Sequence, residues 1–305
     1  MPQEDRHKQS KTVRRTMHVR DMDAPIPLKE YLMMYCGFSR SQWKAVKKVE
    51  IFYLNGCDSI ASRTMVSNGD VISWDVSAPR FIPADMPLTI YYEDDALVVL
   101  EKPAGIVVHP TSGDHTRTIA NALAAHWLKQ GDEAAFHPVH RLDRYTSGLL
   151  LVAKHPETQH LLQQAGKSSF QRQYAAICEG ILLGEGVFDA PIGRKDGSII
   201  EREVRPDGKA ARTHYTALAH ENGCTLLRLR LETGRTHQIR VHLSHAGHPL
   251  LGDSLYGGTS SILTRQALHA YRLAFTHPHT GKRLSFCSPL PSDMRALFDT
   301  FDTDI

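Results

Sequence analysis

The sequence predicts an α+β fold with a mixed, largely antiparallel sheet, preceded by a small N-terminal α/β domain. Short strand-like runs follow one another through the second half of the chain, without the alternation of strands and long helices that a doubly wound parallel sheet requires. Over residues 227–232, leucines alternate with charged residues, which is the period-two pattern of a half-buried strand. Asp-Gly pairs at 196–197 and 207–208 indicate the tight turns of antiparallel hairpins.

The composition is that of an ordinary globular protein. The 305 residues are 41% hydrophobic and 23% charged, and the chain is long enough for one large domain and one small one. No apolar run approaches the length of a membrane span, and the charged N-terminus lacks the hydrophobic segment of a secretory signal. The five cysteines are odd in number and widely spaced, which favours free thiols in a reducing compartment. We therefore expect a cytoplasmic protein with no membrane association.

The charge is unevenly distributed along the chain. The formal net charge is only +3, but residues 1–63 hold twelve Lys or Arg against seven Asp or Glu. A basic N-terminal segment followed by a nearly neutral remainder of the chain suggests that one module binds a polyanion. A solvated, disordered tail explains the first 20 residues equally well, so both interpretations stay open.

The N-terminal elements follow in order. Residues 1–22 are polar, basic and poor in aromatic side chains, which predicts a disordered basic tail. In the module predicted over 23–78, apolar residues at helical spacing begin at Leu28 and Gly37 ends that helix. Ser39 can cap a second helix, and strand-like runs separated by Asn-Gly and Asn-Gly-Asp turns follow.

The main domain is predicted over residues 88–295, after a proline-rich linker at 79–87 and before a C-terminal tail at 296–305. It opens with two strands that flank an acidic turn at 93–95. Helical patterns follow at 119–128 and 157–164, and a third precedes Gly247.

Residues 140–148 are the most informative segment. They read His-Arg-Leu-Asp-Arg-Tyr-Thr-Ser-Gly and run into five apolar residues, which predict a buried strand. Asp143 lies between Arg141 and Arg144, whose positive charge favours an ionised carboxylate. A rigidly held, ionised carboxylate suits a nucleophile or general base, so Asp143 is a candidate catalytic residue. The residues alone also allow a structural Asp that caps the turn and pairs with a neighbouring arginine.

The segment 140–148 resembles the motif His-Arg-Leu-Asp-x-x-Thr-Ser-Gly of the RluA-type pseudouridine synthases, which implies that Asp143 is catalytic. Arg-Gln-Tyr-Ala-Ala-Ile at 172–177 is similar to a second family motif and implies that Tyr174 stacks on the target base. Thr-Gly-Arg-Thr-His-Gln-Ile-Arg-Val-His-Leu at 233–243 is similar to a third. By its place in that motif, Arg240 is expected to pair with Asp143, and a buried pair would offset the desolvation of both charges.

Further segments at 247–257 and 268–270 also fit the family, so the resemblance runs from about residue 88 to residue 291. It implies the pseudouridine synthase fold, an α+β domain with a cleft across its sheet. The Lys-Pro-Ala-Gly turn that begins at Lys102 has a family counterpart, and we predict a structural role for this lysine.

The resemblance implies an isomerase that acts on RNA. Such an enzyme cleaves the N-glycosidic bond of a uridine, turns the base and rejoins it through carbon five. No atom is lost and no redox change occurs, so we expect neither a cofactor nor a metal. Whether Asp143 attacks the ribose or the base first stays open. A uridine in folded RNA must also be flipped out, and Arg141 resembles the family residue that fills the vacated stack.

The N-terminal module resembles the alpha-L RNA-binding module that often precedes RluA-type domains. The resemblance rests on Gly-Phe-Ser-Arg at 37–40 and on the Leu-Asn-Gly and Gly-Asp turns. Four basic residues on or beside the second helix could form one face toward RNA phosphates: Arg40, Lys44, Lys47 and Lys48. A solvated surface is the alternative. An RNA-binding module placed before the main domain favours large-subunit ribosomal RNA over transfer RNA as the partner.

Other functions stay open at this point. The spacing of His137, His140 and Asp143 would allow zinc, although Pro138 interrupts a helix and no HExxH pattern is present. Glycosidase chemistry would need a second acid beside Asp143. A non-enzymatic RNA-binding or ribosome-assembly factor would bind RNA and tolerate Asp143→Ala. We expect a monomer, because the substrate is large and no heptad pattern is present.

Overall fold

The computed structural model describes residues 12–20, 22–38, 40, 43–44, 52–59, 64–77, 81–111, 116–132, 134–164, 169–259 and 261–298. The N-terminal unit contains helix α1, Leu28–Met34. Its strands are β1 Thr12–His18, β2 Ile26–Pro27, β3 Phe52–Leu54, β4 Cys57–Ser59, β5 Met65–Val66 and β6 Val71–Ser77. They form a four-stranded sheet in the order β1-β6-β3-β4 and a separate β2-β5 pair.

The predicted helix and hairpin of this unit are present. Gly37 follows α1 with a φ of +70°, and Asn55 and Gly56, both at positive φ, connect β3 to β4. The core is aromatic, with Phe38 and Phe52 both packed against Trp74.

The predicted disordered tail over residues 1–22 is wrong from Thr12 onward. All seven residues of β1 pair antiparallel with β6, Met17 packs against the module core, and Val19 is fully buried. The basic composition of the segment masks its period-two pattern, in which Met17 and Val19 turn toward the core while Arg14 and Thr16 stay exposed.

The described residues of the main domain form a sheet of ten strands. Its strands are β7 Thr89–Glu93, β8 Leu97–Lys102, β9 His137–Pro138, β10 Ser147–Ala153, β11 Phe170–Glu179, β12 Glu185–Asp189, β15 Arg212–Glu221, β16 Cys224–Leu231, β17 Leu268–Thr276 and β18 Arg283–Cys287. A separate hairpin joins β13 Ile192–Arg194 to β14 Arg202–Val204. The helices are α2 Ile119–Gln130, α3 Pro156–Gln164, α4 Gln238–His245 and α5 Ser292–Arg295, with a 3₁₀ turn at Ser254–Tyr256.

The sheet runs in the order β12-β15-β16-β11-β17-β10-β8-β7, with β18 on β17 and β9 on β10. Its pairs are antiparallel except β10 with β17, so the predicted mixed, largely antiparallel sheet is confirmed. Helix α2 packs on β8 and β10, whereas α4 covers β11 and β16. No helix among the described residues has the length and apolar character needed to cross a bilayer.

The parallel contact between β10 and β17 positions the loop that carries the candidate acid. Gly148 pairs with Ala270 there and has a φ of +112°. A Cβ atom at this position would collide with the carbonyl oxygen of Ala270, so only glycine allows the strands this close approach. The loop that ends at β10 is thereby brought to the middle of the sheet.

Two predicted boundaries shift. The linker predicted at 79–87 is attached to the main domain from Phe81 onward, because Phe81 packs edge-on against Phe136 and the Asn121 side-chain amide donates to the carbonyl of Ile82. The tail predicted at 296–305 is wrong at its start, since Phe298 is buried in an apolar cluster.

Candidate active site

Lys102 fixes the loop that carries Asp143. Its ammonium is fully buried and donates to the backbone carbonyls of Pro103, Ile106 and Arg144 at 2.8, 2.8 and 2.9 Å. Burial lowers the pKa of Lys102 to about 7, while the nearby Asp143 carboxylate acts in the opposite direction. The Lys-Pro-Ala-Gly turn therefore anchors the backbone one residue after Asp143, in keeping with the structural role predicted for Lys102.

Arg240 and Asp143 meet across the cleft although 97 residues separate them in sequence. Arg240 lies on α4, and its Nη1 donates to Asp143 Oδ2 at 3.3 Å. The same guanidinium donates from Nε and Nη2 to the two carboxylate oxygens of Asp253, each at 2.7 Å. Arg240 is 7% exposed and Asp253 is 2% exposed. The expected Asp143–Arg240 contact exists, but the tighter partner of the arginine is Asp253.

His237 and Tyr256 complete the surroundings of Asp143. His237 precedes α4 at a φ of +57°, and its Nε2 lies 3.8 Å from Asp143 Oδ1. Its Nδ1 hydrogen-bonds the Tyr256 hydroxyl at 2.8 Å, and the Tyr256 ring packs 4.8 Å from the Arg240 guanidinium. Burial lowers the pKa of His237, with Asp143 opposing that shift. The imidazole is therefore neutral at pH 7, and Arg240 supplies the positive charge at this carboxylate.

Tyr174 lies on β11 opposite Leu229 of β16 and is almost fully buried. Burial raises its pKa, so the hydroxyl is protonated at neutral pH. Arg172, two residues earlier, lines the same cavity. The buried Nε of Arg172 has no hydrogen-bond partner among the described residues. The period-two alternation of β11 could have identified Arg172, since it places this residue on the same face as Tyr174.

One cavity of about 360 Å³, a size typical of small-ligand sites, is bordered by Asp143, Arg172, Tyr174, His237 and Arg240. Its lining combines one carboxylate, several cations, an aromatic ring and an apolar floor: Arg141, Asp143, Arg172, Tyr174, Arg235, Arg240, Leu231, Ile239 and Leu268. Such a cavity can hold a flat, polar ring against apolar and aromatic surface while cations face an anionic backbone outside.

The candidate residues therefore divide into two groups. Asp143, Tyr174, Arg240 and the exposed Arg141 border the cavity together. Arg40 and Lys44 are exposed, helical residues of the N-terminal unit. Lys47 and Lys48 lie outside the described residues.

Sequence reasoning missed Asp253, His237 and Tyr256 as parts of the site. Asp253 and Tyr256 stand in the Gly-Asp-x-x-Tyr-Gly segment that fits the family, and His237 stands in the motif that contains Arg240. The sequence contains these motifs, but it does not show that their residues contact one another.

The geometry gives the zinc alternative no ligand set. His140 Nε2 accepts a hydrogen bond from the backbone N–H of Leu151 at 3.1 Å, so this nitrogen supports β10. Burial, aided by Arg172, lowers the pKa of His140 to about 3. Across the part of the chain that the structure describes, no three His, Cys, Asp or Glu side chains cluster as a metal site would require.

Solved structures of similar fold define the class of protein. Human RNA pseudouridylate synthase domain-containing proteins 1 and 4 each align with a TM-score of 0.55 and 26% identity. The alignments cover 67% and 68% of this chain and 83% and 90% of the human chains. The fold is that of the pseudouridylate synthases, as the sequence motifs implied.

Sequence comparisons then identify the family. The family described as RNA pseudouridylate synthase matches residues 96–245. Ribosomal large subunit pseudouridine synthase D of Vibrio cholerae is 41% identical over 282 residues, 86% of either chain. The uncharacterized RNA pseudouridine synthase YjbO of Bacillus subtilis is 47% identical over 214 residues, 70% of this chain and 76% of that protein. The chain belongs to the RNA pseudouridylate synthase family and is an isomerase that converts uridine to pseudouridine in RNA.

Proposed function

We propose that this enzyme modifies specific uridines of large-subunit ribosomal RNA and that Asp143 is its catalytic carboxylate. The position of Asp143 carries the proposal: this acid borders a cavity that also contains Tyr174, and it contacts the buried Arg240 at 3.3 Å. The ribosomal substrate is supported by the name of the Vibrio cholerae relative, which aligns over 86% of its length.

Arg240 contacts Asp143 without covering it. One N–H reaches Oδ2, and the neutral His237 lies 3.8 Å from Oδ1, so the carboxylate can still approach a bound nucleoside. Asp143 attacks the ribose or the base. Attack on the ribose breaks the N1–C1′ bond as the Asp143–C1′ bond forms, and C5 later displaces the carboxylate from C1′. Attack on the base adds Asp143 to C6, after which the N1–C1′ bond breaks, C5 bonds to C1′ and the carboxylate is eliminated. In either order the base turns, the proton on C5 leaves and N1 gains a proton.

Tyr174 holds the uracil during this rotation. Its ring lines the cavity from β11, and stacking on an aromatic ring contributes about 1–3 kcal/mol per base. Its protonated hydroxyl can also take part in a proton transfer. Tyr174→Phe should therefore retain base binding, whereas Tyr174→Ala should lose it.

Arg141 acts where the uridine leaves its helix. Its exposed side chain borders the cavity, and a planar guanidinium can stack on bases and also contact phosphate. Extruding a base from a duplex costs a few kcal/mol. A side chain that fills the vacated stack recovers part of that cost.

The N-terminal module increases RNA affinity through phosphate contacts. Arg40 and Lys44 are exposed and four residues apart, which places them on one helix face. Lys47 and Lys48 extend the same basic pattern in the sequence. The cytoplasmic location, the monomeric state and the independence from a cofactor stay predictions from the sequence.

Pseudouridine mapping of total RNA tests the proposal directly. A deletion strain is compared with the same strain rescued by the wild type or by Asp143→Asn, with protein levels matched by immunoblot. We expect particular sites in large-subunit RNA to vanish on deletion and to return only with the wild type. An unchanged map, or full rescue by Asp143→Asn, would refute the proposed substrate or the proposed role of Asp143, respectively.

A further inference from the structure

We propose that Asp253 is a positioning residue that holds Arg240 so that only one edge of its guanidinium reaches Asp143. The inference deepens the proposed function, because its catalytic consequence rests on the role of Asp143. Its structural part is independent of activity and can be tested separately.

The hydrogen bonds of Arg240 are unequal. Asp253 receives two parallel bonds from Nε and Nη2 at 2.7 Å, the two-bond geometry in which arginine and carboxylate interact most strongly. Asp143 receives one bond from Nη1 at 3.3 Å, which is long for a charge-assisted contact. Asp253 therefore determines the orientation of the guanidinium, and Asp143 meets the edge that remains.

The charges give this arrangement a chemical consequence. Two carboxylates share one guanidinium, so the group of Asp143, Asp253 and Arg240 carries one net negative charge when both acids are ionised. Because Asp253 occupies the Nε–Nη2 edge, Asp143 can meet Arg240 only through the remaining Nη donors, where it accepts one bond at 3.3 Å. Asp143 therefore has a cation beside it, but its carboxylate oxygens stay available to the substrate.

The segment around Asp253 is rigid enough for this task. The carbonyl of Asp253 accepts from the backbone N–H groups of both Tyr256 and Gly258, at 3.0 and 2.9 Å. Gly252 has a φ of +77°, and a Cβ atom there would collide with the backbone of Arg265. Tyr256 from the same turn packs its ring on Arg240, so one short segment restrains the guanidinium by its edge and by its face.

Nitrogen and proton NMR of the Arg240 guanidinium tests the structural part. A guanidinium held by two bonds rotates slowly about Nε–Cζ and shows separate, slowly exchanging Nη protons. We expect these signals in the wild type and in Asp143→Asn, and we expect their loss in Asp253→Asn. Loss in Asp143→Asn with retention in Asp253→Asn would overturn the proposal. Because no turnover is measured, this result does not depend on whether the protein modifies ribosomal RNA.

Steady-state kinetics tests the catalytic part. Misplacing a reacting group by about 1 Å can cost roughly 100-fold in rate, so we expect a fall in kcat of that order for Asp253→Asn while KM changes little. The matched control is Asp293→Asn, which breaks another two-bond pair, that of Arg265, at 2.7 and 2.8 Å. This control should keep kcat within about threefold of the wild type, since it leaves Arg240 in place.

A second variant covers the case in which Asp253→Asn does not fold. Asp253→Glu keeps the charge but displaces the carboxylate by one methylene, so we expect a folded protein with reduced kcat and an altered Arg240 spectrum. Wild-type kcat in either folded variant would overturn the catalytic part. A wild type that forms no pseudouridine at all would instead refute the proposed function and leave the NMR comparison valid.

Discussion

The catalytic cleft and the N-terminal module hold their charged side chains in opposite ways. In the cleft, Arg240 and Asp253 are almost fully buried and directly paired. In the module, Arg40 and Lys44 are exposed on a helix face. Buried charges must be paired because desolvation is costly, so their geometry is restrained and suits chemistry. Exposed charges stay mobile and hydrated, and they suit a salt-dependent affinity for a polyanion.

The largest expected effect lies at the centre of the cleft. Arg240→Gln leaves the Asp143 and Asp253 carboxylates without their shared cation, and removing one partner of a buried pair costs about 3–5 kcal/mol. We expect urea unfolding to show a loss of stability of this order and turnover to fall sharply. The control is Arg228→Gln on the exposed side of β16, which should change stability by about 0.5 kcal/mol or less. Equal stability of both variants would contradict the claim that the buried charges contribute more to stability than the exposed ones.

A smaller effect concerns the buried Lys102. Its pKa is about 7 in the folded protein, whereas the unfolded side chain keeps its proton to about pH 10.5. Between these values the unfolded state binds more protons, so the free energy of unfolding should rise with pH, by at most about 1.4 kcal/mol per unit. Below pH 7 the buried amine is protonated in both states, so the stabilisation gained at higher pH is absent.

The comparison variant for this pH dependence is Lys102→Met. It should be less stable overall, but its free energy of unfolding should not rise with pH in this way. Urea unfolding of both proteins at several pH values from about 6.5 to about 9 measures how the difference in their free energies of unfolding changes with pH. If the difference in free energy of unfolding between the wild type and Lys102→Met does not change with pH, the three carbonyl acceptors of Lys102 offset the cost of burying its charge.

Arg141 combines features of both regions, since it borders the cleft like the buried charges but is exposed like those of the module. We expect Arg141→Ala to lower kcat/KM about tenfold on a uridine in structured RNA, which corresponds to about 1.4 kcal/mol of the flipping cost. On a uridine in a flexible loop the loss should be smaller, because little stacking must be broken. Equal losses on the two substrates would contradict the proposed role in flipping.

The smallest expected effect lies in the module. The double variant Arg40→Gln, Lys44→Gln should weaken RNA binding a few-fold at moderate salt and leave kcat on saturating RNA unchanged. Each lost phosphate contact should reduce the slope of log affinity against log salt by about 0.7–0.9. Arg295→Gln, at an exposed site near the C-terminal end of the main domain, should leave the slope as it is. A fall in kcat at saturation would show that the module also positions the RNA for chemistry.

Much of the fold could be predicted from local patterns. The helices α2 and α3 and the hairpin of β7 and β8 form close to their predicted positions, because hydrophobic periodicity and turn residues act over a few residues. The strand Thr12–His18 was missed because its basic composition suggests disorder, whereas pairing with β6 and the packing of Met17 on the core stabilise it. Phe298 was missed because nothing local shows that an apolar cluster lies beside it.

The sequence by itself determined the chemical groups of this enzyme and the order of its elements. Motif residues such as Asp143, Tyr174 and Arg240 were recognisable before any contact was known. The tertiary structure decided how the charges are shared: Arg240 binds Asp253 more closely than Asp143, and Lys102 donates to three backbone carbonyls. The reason is physical. Periodicity and turn chemistry depend on neighbours in the chain, whereas the partner of a buried charge depends on which distant groups lie within about 3 Å of it.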